Sequence, residues 1–322
     1  MPMIPFESPP PVLSLVVPMF NESENLEYLF GKLRGVLDGL GVTYEIVCVD
    51  DGSRDDTLAR LIAMHHADPR LKIIALARNF GKEAALTAGL EHARGQAVLP
   101  IDADLQDPPE LIPQLLAKWR EGFEVVLAKR RSRDSDTPLK RFTSTWFYRV
   151  FNRLSDRPIP ENVGDFQLLD RRAVEALKRL PERNRVMKGL FAWVGFRRAE
   201  VLFDRAPRHA GETKWNYWKL FQLAFNAITS HSRRPLHLAS LLGLAVSLGA
   251  IAYAAFLTVL VVSHGRDVPG YASLMVGMLF LGGVQLISIG IVGEYVGRVY
   301  DEVKQRPLYI TREVIGFDSA RE

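Results

Sequence analysis

Residues 97–110 read AVLPIDADLQDPPE, and the fold can be read outward from them. The apolar run Ala97–Ile101 has the length of a buried strand, and the Pro108-Pro109 step after it opens a helix. Between them stand two carboxylates one residue apart, Asp102 and Asp104. Such a pair at a strand end repels itself unless a cation joins it. A divalent ion such as Mg²⁺ or Mn²⁺ takes oxygen ligands and can bridge to diphosphate oxygens. A solvated acidic turn is the plain alternative.

The same punctuation recurs upstream. Leu13–Val17 is a short apolar run closed by Pro18-Met19-Phe20-Asn21-Glu22. Asn21 and Ser23 offer caps for a helix whose Leu26, Leu29, Phe30, Leu33 and Leu37 share one face. Glu45–Val49 is the next strand, closed by Asp50-Asp51-Gly52-Ser53, with a helix from about Asp55. Glycine permits that tight turn, and a carboxylate there can accept from a base N–H or from ribose hydroxyls. Asp55 and Asp56 read as helix-start residues that complement the dipole. Lys72–Leu76, a helix over Glu83–Ala93, and Val125–Ala128 continue the alternation. Strands separated by helices predict an α/β domain: a mostly parallel, Rossmann-like sheet covered on both faces. Ligands of such sheets bind beyond the carboxyl ends of the strands, where these acidic residues fall.

The C-terminal third is different. Apolar residues make up 48% and charged residues 24% of the 322, yet Pro235–Ser263 and Val268–Gly293 contain no Asp, Glu, Lys or Arg. Each exceeds the roughly 20 residues that cross a bilayer as a helix. Two buried helices of a soluble core are the competing reading. The short link with Arg266, Asp267 and Pro269 makes the two spans a hairpin. Arg233 and Arg234 precede it, and Arg298, Lys304 and Arg306 follow, so the positive-inside rule puts both ends in the cytosol. Met1–Pro11 has no basic, apolar leader and reads as a tail without a signal peptide. The expected organisation is a tail over 1–11, a catalytic domain over 12–210 and a juxtamembrane segment over 211–234. Two spans over 235–294 (about 236–262 and 271–293) and a cytoplasmic tail over 295–322 complete it. In the juxtamembrane stretch, Trp215, Tyr217, Trp218, Phe221 and Phe225 beside Lys214 suit either a headgroup layer or a core stripe.

A net charge of +4 and a pI near 9.1 would allow nucleic acid as a partner. The basic residues instead gather over Lys129–Arg141, Arg171–Arg208 and the borders of the apolar spans, a pattern aimed at membrane and phosphate. The single Cys48 excludes an internal disulfide and a cysteine-rich metal site.

The segments VVPMFNE (16–22), VDDGSRDDT (49–57) and DADLQDPPE (102–110) resemble those of family 2 glycosyltransferases of GT-A fold. Together with VGDFQLLDRRAV (163–174), RHAGETKW (208–215) and GEYVGRVYDEVKQRPLY (293–309), they are similar to the polyprenyl-phosphate glycosyltransferases, a group that includes bactoprenol glucosyltransferases and dolichol-phosphate mannose synthase. The likeness runs from about Leu13 to Tyr309. It implies an inverting transfer of a sugar from a nucleotide-diphosphate donor, a UDP-sugar such as UDP-glucose, to undecaprenyl phosphate. By the same likeness Pro18, Glu22 and Asp51 serve the nucleotide, and Asp104 binds Mg²⁺ or Mn²⁺. Asp102 holds the ribose or assists at the metal, and Gln106 sits near the sugar. Asp165 is an acid near the acceptor, while Arg208, Thr213 and Lys214 form a basic motif near the diphosphate. Arg130, Arg131 and Arg133 lie in a loop able to close over the site. Membrane lipids are partners, nucleic acid is not, and relatives point to a homotetramer in the bacterial inner membrane.

Rival readings stay open at this point. A GDP-mannose-dependent mannose synthase uses the same machinery. A processive polysaccharide synthase needs a membrane channel and a Gln-x-x-Arg-Trp signature, which this sequence lacks. A flippase partner or non-catalytic scaffold would keep the nucleotide domain without the chemistry. The spans carry no charge short of Glu294, which disfavours transport.

Overall fold

Every residue of the strands β2 (Tyr44–Asp50) and β4 (Ala97–Pro100), and all but Pro18 in β1 (Leu13–Met19), is buried. Strands so thoroughly covered belong inside a sheet with helices on both faces. The computed structural model describes residues 9–131, 163–183, 185–204, 234–264 and 270–317. They form two compact units, one built on the sheet and one on the C-terminal helices.

The sheet has eight strands in the order β7-β5-β6-β4-β1-β2-β3-β8. Here β3 is Leu71–Leu76, β5 Val125–Arg130, β6 Val163–Asp170, β7 Arg198–Phe203 and β8 Thr311–Ile315. The run β4-β1-β2-β3 is parallel, as is β5 with β7. β6 runs antiparallel between β4 and β5, and β8 antiparallel along β3. Side chains alternate along β1 with the strand period of two. Leu13, Leu15, Val17 and Met19 join one core layer with Leu26, Leu29, Phe30, Leu33 and Leu37 of α1 (Leu26–Leu37). Val16 joins the other layer with Val47, Val49 and the Ala85–Leu90 face of α3 (Lys82–His92). That helix lies close on β1: a Cβ on Gly89 would stand 2.2 Å from Cγ1 of Val16. The remaining helices of this unit are α2 (Thr57–Ala67), α4 (Ile112–Arg120), α5 (Arg171–Lys178) and α6 (Met187–Trp193).

The parallel, doubly covered core is the one expected. Three strands are not: β6, β7 and β8 lack the long apolar runs that mark the others. Asn21 and Ser23 do not cap α1, which is preceded by a 3₁₀ turn over Ser23–Asn25 without a side-chain cap. Asn21 instead accepts from the backbone N–H of Arg54 at 2.8 Å, with its own φ at 55°.

In the second unit α7 (Arg234–His264) and α8 (Tyr271–Val303) have 31 and 33 residues. At a rise of about 1.5 Å per residue both exceed a hydrocarbon core of about 30 Å. Large apolar side chains stand exposed along both, among them Leu248, Ile251, Val259, Leu286 and Ile289. Surface of that kind is covered by lipid or by other chains rather than water. α8 continues ten residues past the expected span, carrying an Arg298–Glu294 ion pair of 2.8 Å one helical turn apart. The expected tail over 295–322 is therefore divided. Its first part is helix, and Thr311–Ile315 returns to the first unit as β8. The catalytic domain expected to close at residue 210 thus takes its last strand from beyond the hairpin.

β8 is anchored by more than its ladder. The ring of Phe317 packs edge-on to His92 and under the ammonium of Lys72, the Tyr309 hydroxyl bonds Glu91, and the N–H of Ala77 donates to the Ile310 carbonyl at 2.8 Å. Ending the chain after Arg306 would leave β3 as a bare apolar edge, which templates aggregation. The truncated protein should melt several degrees lower and elute partly as aggregate in detergent. An unchanged melting curve and elution profile would show that β8 is dispensable.

Candidate active site

A cleft of about 340 Å³ opens where the carboxyl ends of β1, β2 and β4 meet the start of α3. Pro18, Glu22, Asp51, Asp102 and Asp104 all line it, together with Asn79, Gly81 and Lys82. The strand ends that the sequence marked as acidic are thus neighbours in space. Gln106 and Asp165 stand outside this lining. Arg130 lies 4.0 Å from Asp107 and Arg131 3.9 Å from Asp204. Arg133, Arg208, Thr213 and Lys214 lie outside the described residues.

The loops after β1 and β2 are tied to each other. The N–H of Asn21 donates to Ser53 Oγ at 2.9 Å, and that of Glu22 to Thr57 Oγ1 at 3.0 Å. The Glu22 carboxylate accepts from Asn25 Nδ2 at 2.6 Å. Asp55 accepts from the N–H of Thr57, as a helix-start residue does. Asp51 is buried, and its two oxygens accept from the backbone N–H groups of Phe80 (2.7 Å) and Gly81 (2.9 Å). Burial pushes the Asp51 carboxyl up, and those two bonds hold it partly back. Asp51 therefore fixes the turn that starts α3, a task its place in the sequence does not announce. Gly52 beside it has φ +67°, and a Cβ there would lie 2.5 Å from the backbone carbon of Arg78.

α3 opens with Lys82, whose ammonium joins two acids. It sits 2.6 Å and 2.9 Å from the oxygens of Asp102 and 2.7 Å from Oδ2 of Asp165. Burial opposes the charge of Lys82, but the two carboxylates push its pKa up. Burial likewise opposes the charge of Asp165, yet Lys82 and Lys188 hold its carboxyl below the ordinary range. Its other oxygen, Oδ1, is buried and has no hydrogen-bond partner among the described residues. Asp165 lies within β6, and Asp170 at the end of that strand caps α5 by accepting from the N–H of Arg172. Asp102, expected at the ribose or the metal, is held by Lys82. Past β4 the N–H of Gln106 donates to Asp104 Oδ1 at 3.2 Å, and Leu105 between them has φ 50°. A left-handed non-glycine residue costs on the order of 1–2 kcal/mol, and strain of this kind gathers at functional loops.

Lys82 and its neighbour Glu83 escaped the sequence reading, which followed acidic strand ends. A signal was present: a lysine in the first turn opposes the helix dipole and calls for a nearby anion. Glu83 accepts from the N–H of Met187 at 2.9 Å. Burial, reinforced by the charge of Asp165, pushes its carboxyl up to about 7.

The comparisons with known proteins fit this geometry. Residues 14–178 match the family described as glycosyl transferase family 2. The chain belongs to that family. Residues 234–299 match the GtrB C-terminal hairpin, so the two matches fall mainly one in each compact unit. The glycosyltransferase sll0501 of Synechocystis sp. is 57% identical, with 95% of this chain and 96% of that one covered. The prophage bactoprenol glucosyl transferase homolog of Escherichia coli K12 is 48% identical, covering 94% and 99%. The bactoprenol glucosyl transferase of Shigella phage SfII is also 48% identical, covering 94% and 97%.

Two substitutions check the local physics of this family 2 site. Gly52→Ala forces a left-handed alanine against the Arg78 backbone and should destabilise the domain by on the order of 2–4 kcal/mol. Thermal melting in detergent measures it, and a shift of under a degree would contradict the stated strain. Glu83 keeps its proton in the fold up to about pH 7 but releases it near 4.5 when unfolded. Folding therefore holds more protons than the unfolded chain in that window, and stability falls as pH rises from 4.5 to 7, by at most about 3 kcal/mol. Glu83→Gln keeps the acceptor for Met187 and should be the more stable protein at pH 8, with the advantage shrinking towards pH 4.5. Denaturation curves of the two that stay parallel across pH would contradict the raised carboxyl.

Proposed function

We propose that the protein transfers a sugar, with inversion, from a nucleotide-diphosphate donor to polyprenyl phosphate at the cytosolic face of a bacterial inner membrane. The observation that carries this reading is the cleft itself. Three neighbouring strand ends bring carboxylates to one rim, where the start of α3 adds an ammonium, in a chain that also carries two membrane-length helices. Relatives named for bactoprenol glucosyl transfer support polyprenyl phosphate as acceptor and glucose as the sugar, and UDP-glucose is the donor proposed.

The residues present fit a divalent cation. Asp102 and Asp104 offer carboxylate oxygens at the cleft, and the buried Oδ1 of Asp165 is an acceptor without a donor. Among the described residues no three His, Cys, Asp or Glu side chains form a metal-holding group. A bound ion would then draw its remaining ligands from donor phosphates and water, as Mg²⁺ commonly does. Asp104, with Asp102 beside it, would hold Mg²⁺ or Mn²⁺, which would neutralise charge on the departing diphosphate.

The chain's own residues supply the rest. Pro18, Glu22 and Asp51 line the nucleotide end of the cleft, and Gln106 serves the sugar. Arg208 and Lys214 add positive charge for the diphosphate. Asp165 positions the acceptor. A phosphate nucleophile is already ionised near neutral pH, so little is asked of a general base. The hairpin keeps the domain at the surface where the lipid phosphate lies, raising its effective concentration. Arg233, Arg234, Arg298, Lys304 and Arg306 mark the cytosolic flanks.

Purified protein in detergent, with Mg²⁺ or Mn²⁺, should transfer label from UDP-glucose to undecaprenyl phosphate. Asp104→Asn should reduce kcat by on the order of 100-fold or more. Product from GDP-mannose alone would replace the donor. No lipid product from any nucleotide sugar, with nucleotide binding intact, would favour a scaffold.

A further inference from the structure

Asp102 and Asp165 face each other for a reason that lies in the sheet. β4 and β6 pair Ala97 with Asp170 and Val98 with Leu169. The pairing itself ends there, but counted on past β4 the same register brings Asp102 level with Asp165, and one ammonium 2.6 Å from the first and 2.7 Å from the second shows the two to be neighbours. Like charges placed directly opposite are destabilising, and both sit at a half-closed rim where water screens them weakly. Lys82 resolves the conflict by touching both. Its backbone is fixed, because Asp51 binds the N–H groups of Phe80 and Gly81 immediately before it. Its head is not fixed in the same way: the side chain is 42% exposed and the ammonium rides on a flexible four-carbon stem. It also leaves the acids incompletely satisfied, since Asp165 Oδ1 stays buried and unbonded.

We propose that Lys82 is a place-holding cation: without donor its ammonium neutralises Asp102 and Asp165, and it passes to the donor's phosphates when the divalent ion arrives with the nucleotide. The inference rests on the glycosyl-transfer reading above and adds an order of events to it. A divalent ion alone must compete with an ammonium already on the carboxylates. A nucleoside diphosphate offers Lys82 an alternative partner, phosphate oxygen, which lysine binds as a point charge. The nucleotide thus removes the competitor and brings extra ligands for the ion. Ion and nucleotide consequently bind as a pair, each raising the affinity of the other by the same factor. Lys82 is on this account a positioning residue before the reaction and a diphosphate contact during it.

The test reads metal binding rather than turnover. Free Mn²⁺ is followed by its electron paramagnetic resonance signal during titration of the full-length protein in detergent. Each titration is run with no nucleotide, with UDP and with GDP. The wild type should bind Mn²⁺ about tenfold more tightly with its preferred nucleotide than without, within the usual range for coupled sites. Lys82→Met should raise nucleotide-free Mn²⁺ affinity about tenfold and shrink the nucleotide effect to about twofold. Lys82→Gln removes the charge while keeping a hydrogen-bonding head, and should behave the same way. It carries the test if the methionine variant does not fold. If both nucleotides leave wild-type Mn²⁺ binding undetectable, the metal-dependent transfer reading fails, and this inference with it. If the wild type shows nucleotide-coupled binding but the folded Lys82 variants match it without nucleotide, the place-holder alone is overturned.

Discussion

Two carboxylates brought together at adjacent strand ends repel each other unless a cation stands between them, and much of the site is arranged around the delivery of one, the ammonium of Lys82. The cation comes from α3, so the position of α3 matters to the ångström. Two contacts set it. Gly89 lets the helix lie against Val16 and Val49 of the sheet, and the Asp51 carboxylate grips the backbone at its first turn. Asp51 can do so because β1 and β2 end level, with Met19 opposite Asp50, and because Gly52 turns away in a conformation a Cβ would forbid. Sequence-local choices in β2 are thereby felt at Asp102, just past the end of β4, and at Asp165 in β6. Removing any one of these links would change where the ammonium rests without touching the carboxylates themselves.

How much of this is legible in the sequence follows from which residues carry a periodic or compositional signal. The strands β1 to β4 announce themselves because both faces are covered and almost every residue is apolar. The acidic punctuation after β1, β2 and β4 announces the cleft, since carboxylates at a strand end have few purely structural uses. β6 is harder to see. In Val163–Asp170 only one stretch is continuously apolar, and Gly164, Asp165 and Gln167 interrupt the pattern. β7 alternates buried and exposed residues over a short run, and β8 is almost wholly exposed, so neither has the composition of an interior strand. Lys82 is invisible for another reason. Its partners lie 20 and 83 residues away, and no local pattern links a lysine at a helix start to acids in two other strands. The dipole argument alone marks it as out of place.

The return of the chain as β8 bears on why hairpin and catalytic domain form one polypeptide. A domain tethered on one side only would need its membrane spans at a terminus. Here the sheet unit continues beyond α8, and β8 closes against β3, the strand that leads through Ala77 and Asn79 into the turn before Lys82. Arg312 of β8 also contributes its positive charge to Asp50, next to Asp51. The last strand thus stabilises the edge from which the cleft's basic residue is presented. Cutting the protein between a soluble enzyme and its anchor would remove part of the enzyme.

The two acids around the start of α3 are driven apart in proton affinity, and this separates their possible roles. Asp165 shares an ammonium with Asp102 and feels Lys188, so it stays ionised far below neutrality. Glu83 is buried next to that charge and holds its proton up to about pH 7. When environments split two carboxyls in this way, the split indicates which group can hold negative charge and which can give or take a proton. A carboxylate held below its ordinary pKa is a weak proton acceptor, so general-base work is poorly matched to Asp165. The proposed reaction scarcely asks for it, because the acceptor phosphate enters already deprotonated. A fixed anion there has another use under the proposed reaction: it holds the ammonium of Lys82 now and would hold an ion with its diphosphate once the donor is bound. The electrostatics of the site and the chemistry of a phosphate acceptor therefore both favour the proposal that Asp165 acts by position and charge rather than by moving a proton.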